Sequence, residues 1–150
     1  MALQISRQHL ELINAFAEEA YPFECCGFLL GKPENDSKTV LTTFPAFNAR
    51  EESEKHHRFL ITPEAFLQCE KFARERGLDI IGFYHSHPDA AARPSDYDVA
   101  HAWPWYAYLI VSVQNQKAVE VTSWVLRDDR SEFRPERLVI LEDELVSKVG

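Results

Sequence analysis

The run Asp79-Ile80-Ile81-Gly82-Phe83-Tyr84-His85-Ser86-His87-Pro88 constrains this chain more than any other stretch. Residues 79–84 read as a buried strand, and that strand runs straight into two histidines at alternate positions. Alternate side chains on a strand point to one face, so His85 and His87 can aim two imidazoles at one point. Pro88 turns the chain out of the strand into a loop over residues 89–94. The loop returns at Ser95, where a short helix starts, and Asp98 lies on its first turn as a third potential ligand. Two imidazoles and one carboxylate suit Zn²⁺ with a bound water. Three protein ligands leave one coordination position open, which separates catalytic from structural zinc.

Each piece also has an ordinary reading. A lone His-x-His is often an exposed pair or a satisfied core pair. Ser95-x-x-Asp98 resembles a capping box, with Ser95 as N-cap and Asp98 at the third helical position. The joint pattern is far rarer than its parts. Ser95 can serve both purposes, its backbone starting the helix and its hydroxyl facing the metal.

A hydrolase built on such a centre needs a base for its water, and Glu24 is the candidate. It stands at the leading edge of Cys25-Cys26-Gly27-Phe28-Leu29-Leu30, a short apolar run that reads as a buried strand. That is an awkward place for a carboxylate without a partner. Without the histidines, an exposed strand-start glutamate would be the simpler reading.

At 150 residues the chain fits one domain over its full length and can bury a real core. A net charge of −8, with 16 scattered basic residues, argues against nucleic acid as a partner. No apolar run approaches the ~18 residues of a membrane span, and the N-terminus has no signal-peptide pattern. The expected location is therefore cytoplasmic, with no membrane partner. Cys25, Cys26 and Cys69 form no disulfide framework and no C-x-x-C, and read as buried reduced thiols. Alternatively Cys25 or Cys26 shapes the pocket beside Glu24.

Around the motif, residues 6–20 read as an amphipathic helix capped by Ser6 and stopped by Pro22. A second strand is expected over 39–47, hairpinned to the first through 31–37. Residues 48–57 read as an exposed loop, with His56 and His57 solvated, and 59–61 as a short strand. Thr62 as N-cap, Pro63 at the first helical position and Gly77 after the last turn punctuate a second helix. The Ser95 helix should end near Trp103-Pro104. Strands follow over 106–113, 119–126 and 133–141, then a polar tail over 142–150. His101 reads as a helix-surface histidine, and Trp103, Trp105, Tyr106 and Tyr108 as core and rim packing. The order predicts an α/β fold, a single-domain mixed β-sheet flanked by helices.

Glu24, His85-x-His87-Pro88 and Ser95-x-x-Asp98 together resemble the JAMM (MPN+) metalloprotease motif. Residues 24–31, 59–63 and 80–88 also look like that family's first strand, its entry to the second helix and its central strand. The compact length is similar to the stand-alone prokaryotic branch. The resemblance implies a cytidine-deaminase-like α/β fold, zinc at His85, His87 and Asp98, Glu24 as acid–base catalyst and Ser95 as oxyanion donor. It further implies hydrolysis of peptide or isopeptide bonds next to the C-terminal glycines of ubiquitin-like proteins. For a bacterial member the resemblance implies, as that partner, a small sulfur-carrier protein with a Gly-Gly terminus, including carrier–cysteine adducts.

Rival readings fit less well. A non-catalytic binding or scaffold module on the same fold would usually lack the ligand set, which is complete here. A cupin also uses His-x-His but expects a glutamate soon afterwards and an all-β chain. A zinc deaminase needs Pro-Cys-x-x-Cys, which is absent.

Overall fold

In the computed structural model, which describes residues 2–48 and 61–142, seven strands and three helices form one α/β unit. In chain order they are β1 (Ala2–Ser6), α1 (Arg7–Ala20), β2 (Cys26–Glu34), β3 (Ser37–Ala46), α2 (Pro63–Glu75), β4 (Asp79–Pro88), α3 (Asp96–His101), β5 (Ala107–Gln114), β6 (Lys117–Leu126) and β7 (Phe133–Leu141).

The helix boundaries follow local chemistry. Ser6 Oγ accepts the His9 N–H at the start of α1. Thr62 Oγ1 accepts the Ala65 N–H at the start of α2, with Pro63 in the first turn. Each cap satisfies a donor that the helix leaves open. Gly77, at φ +67°, takes the left-handed turn after α2 at no steric cost.

The sheet is mixed, as expected, but it also closes. Its strand order is β1-β3-β2-β4-β5-β6-β7, and β1 pairs in parallel with both β3 and β7 to complete a barrel. The sequence reading contained no β1: its five residues carry only the short alternation of Leu3 and Ile5, both fully buried. Strands β2 and β3 run on into the expected 31–37 connection, so the turn is confined to Asn35-Asp36, and Lys32, Pro33 and Glu34 are strand residues. Likewise β5 and β6 meet at a two-residue turn, Asn115-Gln116, with both residues at positive φ. Ile61 is not in a strand, and residues 59–60 of that expected element lie outside the described residues. So do residues 49–57 of the expected loop and 143–150 of the tail.

Two apolar clusters hold the sheet. Leu10, Ile13 and Ala17 of α1 pack with Leu3, Ile5, Leu29, Leu109 and Val111. Cys69 and Ala73 of α2 pack with Phe28, Leu30, Phe83, Tyr108 and Leu126 on the other face. A bulge between Leu29 and Leu30, opposite Ile81, changes the facing of β4. Beyond it Phe83 belongs to the α2 side, so His85 and His87, at alternate positions onward, emerge on that side too.

The closing seam contains a buried ion pair. Lys38 on β3 is fully buried, with Nζ 3.9 Å from the Glu136 carboxylate on β7 and 4.8 Å from the Trp105 ring centroid. The two charged residues flank β1, and Ser123 Oγ donates to the same carboxylate at 2.9 Å.

Candidate metal centre

The three expected ligands converge. His85 Nε2 and His87 Nε2 are 3.2 Å apart. Asp98 Oδ2 stands 3.4 Å from the first and 3.3 Å from the second. In a tetrahedral site with metal–ligand distances of ~2.0–2.1 Å, neighbouring ligand atoms lie roughly 3.3 Å apart. The three atoms therefore form one face of such a tetrahedron, and the group can hold a metal ion.

Each ligand is positioned by its own element. His85 and His87 are carried by β4, which pairs with β2 on one side and β5 on the other. His87 Nδ1 lies 2.9 Å from the Ala91 carbonyl, which can only accept, so Nδ1 bears the proton and Nε2 keeps its lone pair for the centre. Asp98 is the third residue of α3 and completes a capping box: Ser95 Oγ accepts the Asp98 N–H at 3.1 Å, and Asp98 Oδ2 accepts the Ser95 N–H at 2.8 Å. The cap and the ligand role use the same carboxylate oxygen.

Burial opposes ionisation of Asp98, but the two imidazoles and the Ser95 N–H outweigh it and hold the carboxyl far below the usual carboxylate range. For His87, burial disfavours the cation, whereas Asp98 and the Ala91 carbonyl favour it more, so its pKa is raised.

Glu24 is brought to the same place. Cys26 pairs with His85 in antiparallel register. The Ser86 N–H donates to the Cys25 carbonyl at 3.1 Å, and the Cys25 N–H donates to Ser86 Oγ at 2.8 Å. Continuing that register sets Glu24 opposite His87. Glu24 is only 5% exposed, and its backbone carbonyl accepts from Asn48 Nδ2 at 3.0 Å. Burial pushes its carboxyl up to about 8, with His87 lowering and Asp98 raising it.

Among the neighbouring residues, the cysteines and His101 take the plainer roles expected of them. Cys26 and Cys69 are buried and Cys25 partly so, all three reduced, and burial pushes the Cys25 thiol up to about 11. His101 is exposed, donates to the Tyr97 carbonyl and stacks on the Tyr97 ring. Tyr108 is buried, whereas Trp103 is 62% exposed and belongs to the surface rather than the core. His56 and His57 lie outside the described residues.

The fold is an α/β fold of the JAMM/MPN type. It matches a JAB1/MPN domain protein from Archaeoglobus fulgidus with a TM-score of 0.58 at 21% identity, covering 93% of this chain and 99% of that one. Residues 6–127 match the family described as prokaryotic homologs of the JAB domain, and the chain belongs to that family. A solution structure of a Desulfitobacterium hafniense protein is similar at a TM-score of 0.82 and 30% identity, over 94% of both chains. Two relatives are named desampylase. The one from Haloferax volcanii is 37% identical over 92 residues, 61% of this chain and 63% of that protein, so the chain spans less than two thirds of its length. The one from Pyrococcus furiosus is 33% identical over 107 residues, 70% of this chain and 68% of that protein.

Proposed function

We propose that this chain is a zinc-dependent hydrolase that cleaves the peptide or isopeptide bond after the C-terminal glycines of a ubiquitin-like or sulfur-carrier protein. The observation that carries this reading is the triangle of His85 Nε2, His87 Nε2 and Asp98 Oδ2, with Glu24 buried opposite His87. The names of the two relatives support the choice of a ubiquitin-like adduct as substrate.

His85, His87 and Asp98 would hold the metal. A zinc ion there supplies Lewis acidity toward the scissile carbonyl and makes a water acidic enough to react near neutral pH. Glu24 takes up that water's proton at its carboxylate and returns it to the leaving amine. A positioned acid–base group of this kind contributes typically ~10²–10⁴ in rate. Ser95 Oγ spends its oxygen on the Asp98 N–H, which leaves its own O–H to donate to the developing oxyanion. Such a donor is worth on the order of 3 kcal/mol when well aimed. The loop over residues 89–94 borders the site and offers one wall for an extended Gly-Gly tail, which needs little room. A small domain in the cytoplasm, where such carriers work, is the proposed setting.

The test is hydrolysis of linear fusions in which a ubiquitin-like or sulfur-carrier protein ending in Gly-Gly precedes a reporter. Cleavage after the second glycine, abolished by a chelator and restored by Zn²⁺, is expected. Cleavage that persists in metal-stripped protein would overturn the proposal.

A further inference from the structure

The loop that joins the ligands, Ala90-Ala91-Ala92, has no functional side chain, yet three consecutive carbonyls in it are held from outside. Ser112 Oγ donates to the Ala90 carbonyl at 2.5 Å. The Ala91 carbonyl takes His87 Nδ1–H at 2.9 Å and the Arg93 N–H at 2.8 Å. Thr122 Oγ1 donates to the Ala92 carbonyl at 2.5 Å. Thr122 is itself set by Trp124, whose Nε1–H donates to Oγ1 at 2.8 Å. A hydroxyl with one donor bond and one fixed acceptor bond cannot turn freely.

The register explains how these hydroxyls reach the loop. Ser112 on β5 is the direct partner of His87 on β4. On β6, Thr122 pairs with Ile110, at the alternate position from Ser112 on β5 and on the same face. Both hydroxyls therefore emerge beneath the loop, where Ser112 and Ala92 are fully buried. At its entry, Asp89 is held at φ +58° with its N–H on the Val113 carbonyl at 2.7 Å and its carboxylate taking the Tyr21 hydroxyl.

We propose that Ser112 and Thr122, the latter aimed by Trp124, are positioning residues for His87. They fix the carbonyls on either side of Ala91, so the Ala91 carbonyl meets Nδ1–H and the imidazole presents Nε2 to the metal. The proposal rests on the zinc-hydrolase reading for the ion itself, but not for the orientation of the ring. Partners of this kind, one shell out from a metal, are typically worth about 10–100-fold in affinity.

The experiment compares wild type with Thr122→Val, Ser112→Ala, Trp124→Phe and the conservative Thr122→Ser. Zn²⁺ affinity is measured by chelator competition, and the His87 tautomer by long-range ¹H–¹⁵N correlation on metal-free protein. Thr122→Val should weaken Zn²⁺ roughly 10–100-fold and depopulate the Nδ1–H tautomer, and Thr122→Ser should restore both. If Thr122→Val does not fold, Trp124→Phe, which keeps the hydroxyl but removes its anchor, should show the same changes in smaller measure. Wild-type affinity with an unchanged tautomer in the folded variants would overturn the clamp and leave the hydrolase standing. Absence of Zn²⁺ binding by the wild type would overturn the hydrolase reading, and the clamp's metal role with it.

Discussion

Asp98 Oδ2 lies 3.3 Å from His87 Nε2 while the same oxygen accepts the Ser95 N–H at 2.8 Å. One atom thus closes a helix cap and faces the two imidazoles of the candidate metal centre. Helix formation at Ser95 aims the carboxylate before any ion arrives, which lowers the ordering cost of binding.

Replacing this carboxylate separates its two duties. Asp98→Asn keeps an oxygen for the Ser95 N–H but loses the charge. We expect a fold within about 1 kcal/mol of wild type and a Zn²⁺ affinity lower by at least tenfold. Ser95→Ala should cost about 1 kcal/mol through the lost cap and on the order of 10²-fold in turnover. Thermal melts with metal titration check the stabilities and the affinity, and cleavage of a Gly-Gly fusion checks the turnover; unchanged affinity in Asp98→Asn would remove Asp98 from the ligand set.

Glu24 should leave a signature in the metal-free protein. Its folded-state pKa, about 8, lies above the usual 4.5 because of burial. Between those values the folded state holds a proton that the unfolded chain has released, so stability declines as pH rises through the window. Glu24→Gln removes that loss. The variant should be more stable than wild type at pH 9, by up to about 5 kcal/mol, and equal to it near pH 4. Denaturant titrations of metal-free protein across this range would show it, and parallel pH profiles for the two proteins would contradict it.

The Lys38–Glu136 pair predicts an asymmetry. Lys38→Met removes the cation facing a buried carboxylate that Ser123 donates to, and should cost about 3–5 kcal/mol. Replacing both, as Lys38→Met with Glu136→Leu, should recover most of that loss. Equal losses in the single and double variants, by urea unfolding, would mean the pair's charges are irrelevant to closing the barrel.

Gly82 tests the fit between β4 and β5. A Cβ there would stand 2.3 Å from the Ala107 carbonyl oxygen, a backbone atom that cannot rotate away. Gly82→Ala should therefore destabilise by about 2 kcal/mol or more and shift His85 with its strand. A variant with wild-type stability would show that the strands separate easily.

The convergence of His85, His87 and Asp98 was readable because its signals are local. Alternate positions on a strand, a proline stop and a capping box each depend on a few neighbours, and His85, His87 and Asp98 meet as those signals require. The same holds for α1 and α2, whose caps are written in single segments. Closure of the barrel was not readable. It depends on β1 pairing with strands from the far parts of the chain, and five residues carry little periodicity. Nor did Ser112, Thr122 or Lys38 announce themselves. Polar residues alternating in strands usually face water, and only the folded register turns these toward a loop carbonyl or a buried carboxylate.

The central claim is that the three ligands and Glu24 form one hydrolytic centre with separate duties. The most direct measurement pairs metal content with cleavage of a Gly-Gly fusion for wild type and Glu24→Gln. The account predicts that Glu24→Gln retains stoichiometric Zn²⁺ and loses roughly 10²–10⁴ in rate. A Glu24→Gln protein that cleaves at the wild-type rate would contradict it.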